Sequence, residues 1–370
     1  MAGVNFPARV IILSNEHLFK SSMKSRILSI VAICLSLLLF NGCYLIKQGT
    51  YILRYNFRAQ KIDKVLNDPE TPEPTREFLD LVQEIGAYAT DSIGLKKNRN
   101  YTTYVKIDKD YLVDVVSAAE DVSFKQYKWC YPFFGCFPLK GYFEKEDALK
   151  EAEKLKGKGY DVNVDEVDGF STLGIFKDPL YSFMKDFSVF GIASFIIHEQ
   201  THATVYVKNQ VQFSEELATF VGNTGAMNFI RQKYGTDSDI YRSAVLAEQD
   251  RETYLGLLRG LYNELKSMYQ SGINREEKLN RKEEIIADFK EKVSTEYNRF
   301  FKTGSYSRLS KININNAYLA IRMTYTNDLK LYQELYIKEG ENLKSFMDSV
   351  IKLSKKKGDL KEHLMKEINK

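Results

Sequence analysis

All seven prolines of this 370-residue chain lie at or before Pro179, so no proline interrupts a helix in the second half. Beyond about residue 178, apolar residues recur at helical spacing among many Glu and Lys side chains, most regularly over residues 237–302. This pattern predicts long amphipathic helices whose charged faces contact solvent. Residues 355–370 predict one more helix, exposed at the end of the chain.

The first half of the chain has a different pattern. A mixed polar and apolar stretch over 48–67 is typical of a helix that ends at the Asp68-Pro69 pair. Thr75 is a suitable N-cap for a second helix over residues 76–90. The sequence therefore predicts helices before residue 100 as well.

Between these helical regions lies a segment rich in Tyr, Thr and Val. Residues 101–118 predict two strands, and residues 127–143 predict a strand followed by a loop. Residues 144–156 have helical spacing, and residues 160–167 predict a further strand. The expected fold class is therefore α+β, mainly α, with a small mixed α/β part followed by a long-helix region.

The N-terminal segment resembles an export signal. Residues 27–40 carry no charge, follow Lys24 and Arg26, and precede Asn41-Gly42-Cys43. The last residues resemble the lipobox of bacterial lipoproteins, in which the cysteine, here Cys43, is lipidated and becomes the mature N-terminus. The alternative is an uncleaved membrane anchor, although fourteen apolar residues are short for a span of about 20. Both interpretations place the main body outside the cytoplasm.

Four segments follow from these patterns. They are a leader over 1–42, with Met23 as a candidate start, a helical segment over 43–100, a mixed α/β part over 101–178 and a helical part over 179–370. The formal net charge is +4, and the basic residues of the leader account for most of it. The remaining chain is close to neutral, which argues against nucleic acid as a partner.

Two of the four cysteines, Cys130 and Cys136, lie outside the N-terminal segment. Their spacing, with Gly135 between them, can close a small loop, and exported proteins keep disulfides. The sequence predicts a disulfide between them; two free buried cysteines are the alternative.

Two of the four histidines, His198 and His202, lie in the stretch SFIIHEQTHATVYV. A separation of four residues places both imidazoles on one face of a helix, where they can bind one cation. Glu199 lies about 100° further round the helix and can act as a general base on the attacking water. This H-E-x-x-H arrangement is typical of zinc peptidases.

Catalytic zinc sites usually have three protein ligands and one open position. A second helical pattern, FSEELATFVGNTGAMNFI, follows the histidines and offers both Glu215 and Glu216. Ser214 can cap this helix, which would place both carboxylates in its first turn. The residues themselves leave the choice between the two glutamates open.

Further motifs extend over most of the chain. They are Trp129-Cys130 to Cys136, Gly141-Tyr142-Phe143, Gly159-Tyr160-Asp161-Val162, Ser171-Thr172-Leu173-Gly174, Asp178-Pro179-Leu180, Tyr206-Val207-Lys208, Phe213-Ser214-Glu215-Glu216-Leu217-Ala218-Thr219-Phe220-Val221, Asn315-Asn316-Ala317 and Tyr325. With these motifs the chain resembles the predicted bacterial aminopeptidases that carry HExxH and are usually exported lipoproteins. The resemblance implies a zincin-like fold, a Zn²⁺ cofactor, peptide substrates and Glu215 as the third ligand.

The chain departs from that family pattern at two positions. Ser214 stands where Asn is common, and Gly222 where we expect an acidic residue. Tyr325 is a candidate donor to the oxyanion, and Glu216 is a candidate carboxylate for the free α-amine of a substrate. A zinc endopeptidase and an envelope-anchored binding lipoprotein with a degenerate metal site are the alternatives.

Overall fold

The computed structural model describes residues 44–131, 135–168, 178–207, 209–324 and 329–370. The chain divides into two compact units, Met1–Leu53 and Arg54–Lys370. The first unit is described from residue 44 onward and is helical there, as are residues 54–58 of the second; residues 44–58 are labelled α1. Among the described helices, none combines the length and the apolar character needed to cross a bilayer. Cys43 and the predicted leader lie outside the described residues.

Helices dominate the second unit, so the prediction of a mainly helical chain is confirmed. They are α2 (Ile62–Leu66), α3 (Glu73–Asp91), α4 (Lys145–Lys156), α5 (Val189–Thr204), α6 (Val211–Tyr234), α7 (Asp239–Tyr269), α8 (Arg275–Thr295), α9 (Tyr297–Phe300), α10 (Asn316–Thr324), α11 (Lys330–Lys338), α12 (Leu343–Leu353) and α13 (Leu360–Ile368). The two longest, α6 and α7, belong to the proline-free half, as the sequence predicts.

The strands are short and form a small mixed region. They are β1 (Gln60–Lys61), β2 (Thr103–Val105), β3 (Val113–Glu120), β4 (Trp129–Tyr131), β5 (Gly135–Phe137), β6 (Leu139–Tyr142), β7 (Tyr160–Val167) and β8 (Leu180–Tyr181). In the described part of the chain they form sheets of order β1-β2-β8, β6-β3-β7 and β4-β5. Strand β3 pairs antiparallel with both β6 and β7, whereas β2 pairs parallel with β8.

Some sequence-based boundaries need correction. Helix α3 begins at Glu73, before the predicted cap Thr75, because Pro74 fits the first turn, where a helix lacks N–H partners anyway. The helix predicted over 48–67 is interrupted by β1, which pairs with β2. The two strands predicted over 101–118 exist but belong to different sheets. The division into four segments stays a prediction.

Helix α10 connects the β3 sheet to the long helices. Asn315, just before it, donates from Nδ2 to the carbonyl of Val162 at 2.9 Å. Asn316 donates to the carbonyl of Glu120 at 2.9 Å and accepts from the Tyr269 hydroxyl at 2.8 Å. The Asn315-Asn316-Ala317 motif therefore has a structural role, since its amides satisfy buried backbone and phenol groups.

Cys130 and Cys136 form a disulfide across the β4-β5 hairpin. The hairpin contacts helix α4 through the Trp129 indole, which donates to the Glu151 carboxylate at 2.8 Å.

The last helix, α13, is not the exposed helix that the sequence predicts. Leu360 and Leu364 are fully buried on one of its faces. Lys361 pairs with the buried Glu216 carboxylate of α6, with a shortest N–O distance of 2.7 Å. The charged composition of the segment describes only the solvent face of this helix.

Candidate metal centre

Helix α5 carries the H-E-x-x-H residues. Its N-cap is Ser188, whose Oγ accepts from the Gly191 N–H at 3.0 Å. The helix continues to Thr204 and ends at the extended residue Val205. Ile192, Ile196 and Ile197 are among the residues that bury its apolar side, so the orientation of the helix is fixed by packing.

His198, His202 and Glu215 converge on one point. The two Nε2 atoms lie 3.1 Å apart. Glu215 Oε2 lies 3.7 Å from His198 Nε2 and 3.5 Å from His202 Nε2. The side chains of His198, His202 and Glu215 are 24%, 15% and 28% exposed, respectively. The point where they meet is therefore accessible from solvent.

This geometry fits a zinc ion. Zinc bonds of 2.0–2.2 Å in tetrahedral directions place ligand atoms about 3.3 Å apart, close to the three distances found here. A metal ion can be held by a group of His, Cys, Asp or Glu side chains that lie close together. Among the described residues, these three form such a group. The Nδ1 atom of His202 is buried, and no described residue forms a hydrogen bond with it, although metal-binding histidines commonly have such a partner.

The charge of Glu215 suits a metal ligand. Burial alone would raise the pKa of this carboxyl, but hydrogen bonding to His198 and His202 and the charge of both rings lower its pKa to about 2. Glu215 is therefore ionised at neutral pH, as metal coordination by a carboxylate requires.

Glu216 faces away from the imidazoles. Its side chain is fully buried, and its carboxylate accepts from Gln212 at 3.0 Å, from Lys361 and from the Tyr332 hydroxyl at 3.2 Å. These contacts occupy the carboxylate and enclose it in the protein. The structure therefore brings Glu215, and not Glu216, to the histidines, and the role of Glu216 as a binding group for a substrate amine is wrong.

Ser214 does not cap α6. The helix begins at Val211, so Ser214 and both glutamates follow the first turn. The buried Ser214 hydroxyl accepts from the Val207 N–H at 3.0 Å and donates to the Gln210 carbonyl at 3.3 Å. This serine therefore fixes the turn between α5 and α6. Tyr206, a residue that is 37% exposed, lies on that turn beside the His202 ring.

Helices α5 and α6 approach closely at Gly222. A Cβ atom there would lie 2.8 Å from the Ser194 carbonyl oxygen and 3.1 Å from His198 Cβ. This close approach accounts for the departure of the chain from the family pattern at position 222, because a side chain there would require the helices to shift. The neighbouring Asn223 joins the helices instead, accepting from the Ser194 hydroxyl at 2.7 Å.

Glu199 lies beside this cluster in a largely enclosed environment. Burial raises its pKa, the two imidazoles lower it, and the nearby carboxylates of Asp178 and Glu215 raise it again. The net shift is upward, which favours a carboxyl that can accept a proton and release it again.

Tyr101 is a residue near Glu199 that sequence reasoning missed. It is buried, its ring packs edge to face on Phe195 of α5, and its N–H donates to the Asp178 carbonyl at 2.8 Å. Nothing in its own sequence context marks it, although Asp178 belongs to one of the family motifs. Tyr325, the predicted oxyanion donor, lies outside the described residues, as do residues 171–174.

Comparison with known proteins agrees with the geometry at the level of family. The family described as "Putative aminopeptidase" matches residues 43–365. No curated protein and no solved structure matches the chain. The family match covers both units and every residue of the candidate metal centre. The chain therefore belongs to this family of aminopeptidase-like proteins.

Proposed function

We propose that this protein is a zinc-dependent peptidase, and specifically an aminopeptidase. The observation that carries the proposal is the convergence of His198, His202 and Glu215 within ligand distance of one another, with Glu199 beside them. The family match supports peptide substrates. Among the described residues no fourth His, Cys, Asp or Glu joins these three side chains, which is the ligand number of catalytic zinc sites, where a water takes the fourth position.

The reaction follows from the placement of these side chains. A bound zinc ion would polarise the scissile carbonyl and lower the pKa of a water molecule in its open position. Glu199 accepts a proton from the attacking water and then delivers it to the leaving amine.

The decisive experiment measures hydrolysis of a peptide panel, with free and blocked N-termini, by the purified full chain. We compare the wild type, Glu199→Gln and His202→Ala, each before and after chelation and zinc addition. We expect one zinc per chain in the wild type and in Glu199→Gln, and none in His202→Ala. General-base catalysis contributes about 10²–10⁴-fold, so Glu199→Gln should lose that much kcat.

The outcomes separate the alternatives. Cleavage of free but not blocked peptides supports an aminopeptidase, whereas cleavage of blocked peptides identifies an endopeptidase. Absence of near-stoichiometric zinc, together with no hydrolysis of any peptide, favours the binding lipoprotein with a degenerate metal site. Undiminished turnover in Glu199→Gln refutes the mechanism.

We also propose that the protein works in the cell envelope, anchored through Cys43 or through an uncleaved N-terminal helix. The apolar segment before Cys43 supports this location, and so does the disulfide between Cys130 and Cys136, since disulfides persist in oxidising compartments. Mass spectrometry of the mature N-terminus tests it. A diacylglyceryl group on Cys43 identifies the lipoprotein, and an intact segment identifies the helix anchor.

A further inference from the structure

We propose that a cavity on the side of α5 away from the histidines is a binding site for a free α-amino acid. The cavity lies between α2, α3, residues 97–102 and α5, and its volume is about 480 Å³. Sites for small molecules usually have volumes of about 300–1,000 Å³ and combine apolar walls with a few polar groups. The described residues that line it include none of His198, His202 and Glu215, so it is separate from the candidate metal centre.

Gln200 supplies the observation that points to a ligand. It follows His198 by two residues, so its side chain leaves α5 about 200° further round the helix, and it is 7% exposed. Its Nε2 donates to Thr90 Oγ1 at 3.2 Å and to the Lys96 carbonyl at 3.3 Å. Its Oε1 accepts no hydrogen bond from any described residue, although buried polar atoms usually have a partner. Because Gln200 lines the cavity, a donor on a bound molecule can satisfy this oxygen.

The charges around the cavity favour a positively charged donor. Asp63 and Asp91 both line it, against Lys97 as the one cation among the described lining residues. Asp91 is the last residue of α3, and the last turn of that helix contains no basic residue. The carbonyl groups at the C-terminus of a helix carry partial negative charge. A cation bound here therefore offsets both that charge and the Asp91 carboxylate.

An ammonium group fits this space better than a metal ion. Neither Asp63 nor Asp91 belongs to a group of described side chains close enough together to hold a metal ion. The cavity is also far larger than an ion requires. An organic molecule with an ammonium group is therefore the class of ligand that the carboxylates and the Gln200 oxygen can bind.

The other lining residues specify the rest of the ligand. Lys97 is exposed, so its side chain can pair with a carboxylate at the opening of the cavity. Ile62, Val82 and Ile196 are buried and provide an apolar wall. A free amino acid with an apolar side chain, such as leucine, has a group for each of these partners. An aminopeptidase releases molecules of this class, and in that respect alone the inference rests on the proposed function.

Gly86 keeps part of this space open. It lies inside α3, where a glycine is less favourable than alanine by about 1 kcal/mol. A Cβ atom at this position meets no atom within 4 Å, and the residue lines the cavity. A larger side chain at position 86 is therefore compatible with the helix and occupies the space that the ligand needs.

Calorimetric titration of the full chain tests the inference. The chain is first treated with a chelator, so that no bound metal ion competes for the amino acid. We compare leucine, leucinamide, which lacks the carboxylate and resembles the N-terminus of a peptide, and N-acetylleucine, which lacks the ammonium group. We expect one leucine to bind per chain, leucinamide to bind more weakly, and N-acetylleucine not to bind.

Two substitutions with matched controls locate the site. Gly86→Leu should abolish leucine binding, whereas Gly260→Leu on α7, where an added Cβ also meets no atom within 4 Å, should not change it. Asp91→Asn should weaken binding about 10-fold or more, because it removes a charged acceptor. Asp80→Asn is its control, since Asp80 lies exposed on the same helix and does not line the cavity. Thermal unfolding of each variant, compared with the wild type, shows whether the fold is retained.

Several results would overturn the inference. Absence of saturable leucine binding to the wild type, or undiminished binding in both Gly86→Leu and Asp91→Asn, refutes the site. Equal affinity for leucine and leucinamide refutes the assignment to free amino acids, and equal affinity for N-acetylleucine refutes the need for an ammonium group. The titration involves no turnover, so a chain that binds leucine but hydrolyses no peptide refutes the proposed function and leaves this site standing.

Discussion

Adjacent glutamates on α6 have opposite environments. Glu215 lies next to the His198 and His202 rings, whereas Glu216 is buried and contacts Tyr332 and Lys361. Successive residues on a helix point about 100° apart, so two neighbours cannot both face one partner helix. Sequence patterns predict that a carboxylate reaches the histidines but not which one, because the rotation of α6 about its axis depends on packing.

These environments give a matched pair of substitutions. We expect Glu215→Gln to weaken zinc binding by more than about 100-fold, which exceeds the usual effect of altering an outer partner. We expect Glu216→Gln to retain zinc and to lower the free energy of unfolding by about 1–3 kcal/mol, since its buried partners lose a charged acceptor. Zinc titration and urea denaturation measure both effects. The reverse pattern would make Glu216 the ligand.

At the scale of elements, the metal centre depends on how closely α5 approaches α6. The sequence predicts both helices from apolar spacing, and it predicts that the two histidines share a face of α5. The sequence does not predict the close contact at Gly222, because a glycine inside a helix does not indicate which residues pack against it. Comparison with the family pattern marks Gly222 as a departure, and the approach of the Ser194 carbonyl and His198 supplies its physical reason.

Gly222→Ala should therefore disturb the centre. Its Cβ would meet the Ser194 carbonyl oxygen at 2.8 Å, so the helices must separate. We expect a loss of about 1–3 kcal/mol in the free energy of unfolding and weaker zinc binding. Gly256→Ala on α7 is the control, because nothing lies within 4 Å of the added atom. There we expect a gain of up to about 1 kcal/mol from helix propensity. Equal effects of the two substitutions on zinc affinity would contradict the packing argument.

On the scale of the whole molecule, the C-terminal helix joins the helix that supplies Glu215. Lys361 of α13 and Tyr332 of α11 both contact Glu216, and the Lys361 contact spans 145 residues of sequence. The sequence predicts helices in this region, and the many charged residues of 355–370 suggest that the last helix is exposed. Long-range pairing of a lysine with one buried glutamate among many acidic residues cannot be read from local spacing.

A double-mutant cycle measures this connection. We expect Lys361→Met to cost about 3 kcal/mol, because it leaves the fully buried Glu216 without its cation. In Glu216→Gln the same lysine substitution should cost much less, with a coupling energy of about 0.5–3 kcal/mol. Lys370→Met is the control, since Lys370 is exposed and its pair with the partly exposed Glu367 lies at the surface, where such pairs contribute at most about 1 kcal/mol. Strict additivity of the two substitutions would show that the pair does not stabilise the fold.

Gln210 has a practical consequence for work with this protein. Its side chain donates to the Gly358 carbonyl at 2.8 Å and accepts from the Leu360 N–H at 2.9 Å, so the turn after the second histidine is fastened to the start of the last helix. An affinity tag or reporter fused behind Lys370 is therefore attached to a helix whose start contacts the turn that follows His202. Purification handles are better inserted elsewhere, and preparations carrying a C-terminal fusion should be checked for metal content before a lack of turnover is attributed to the enzyme.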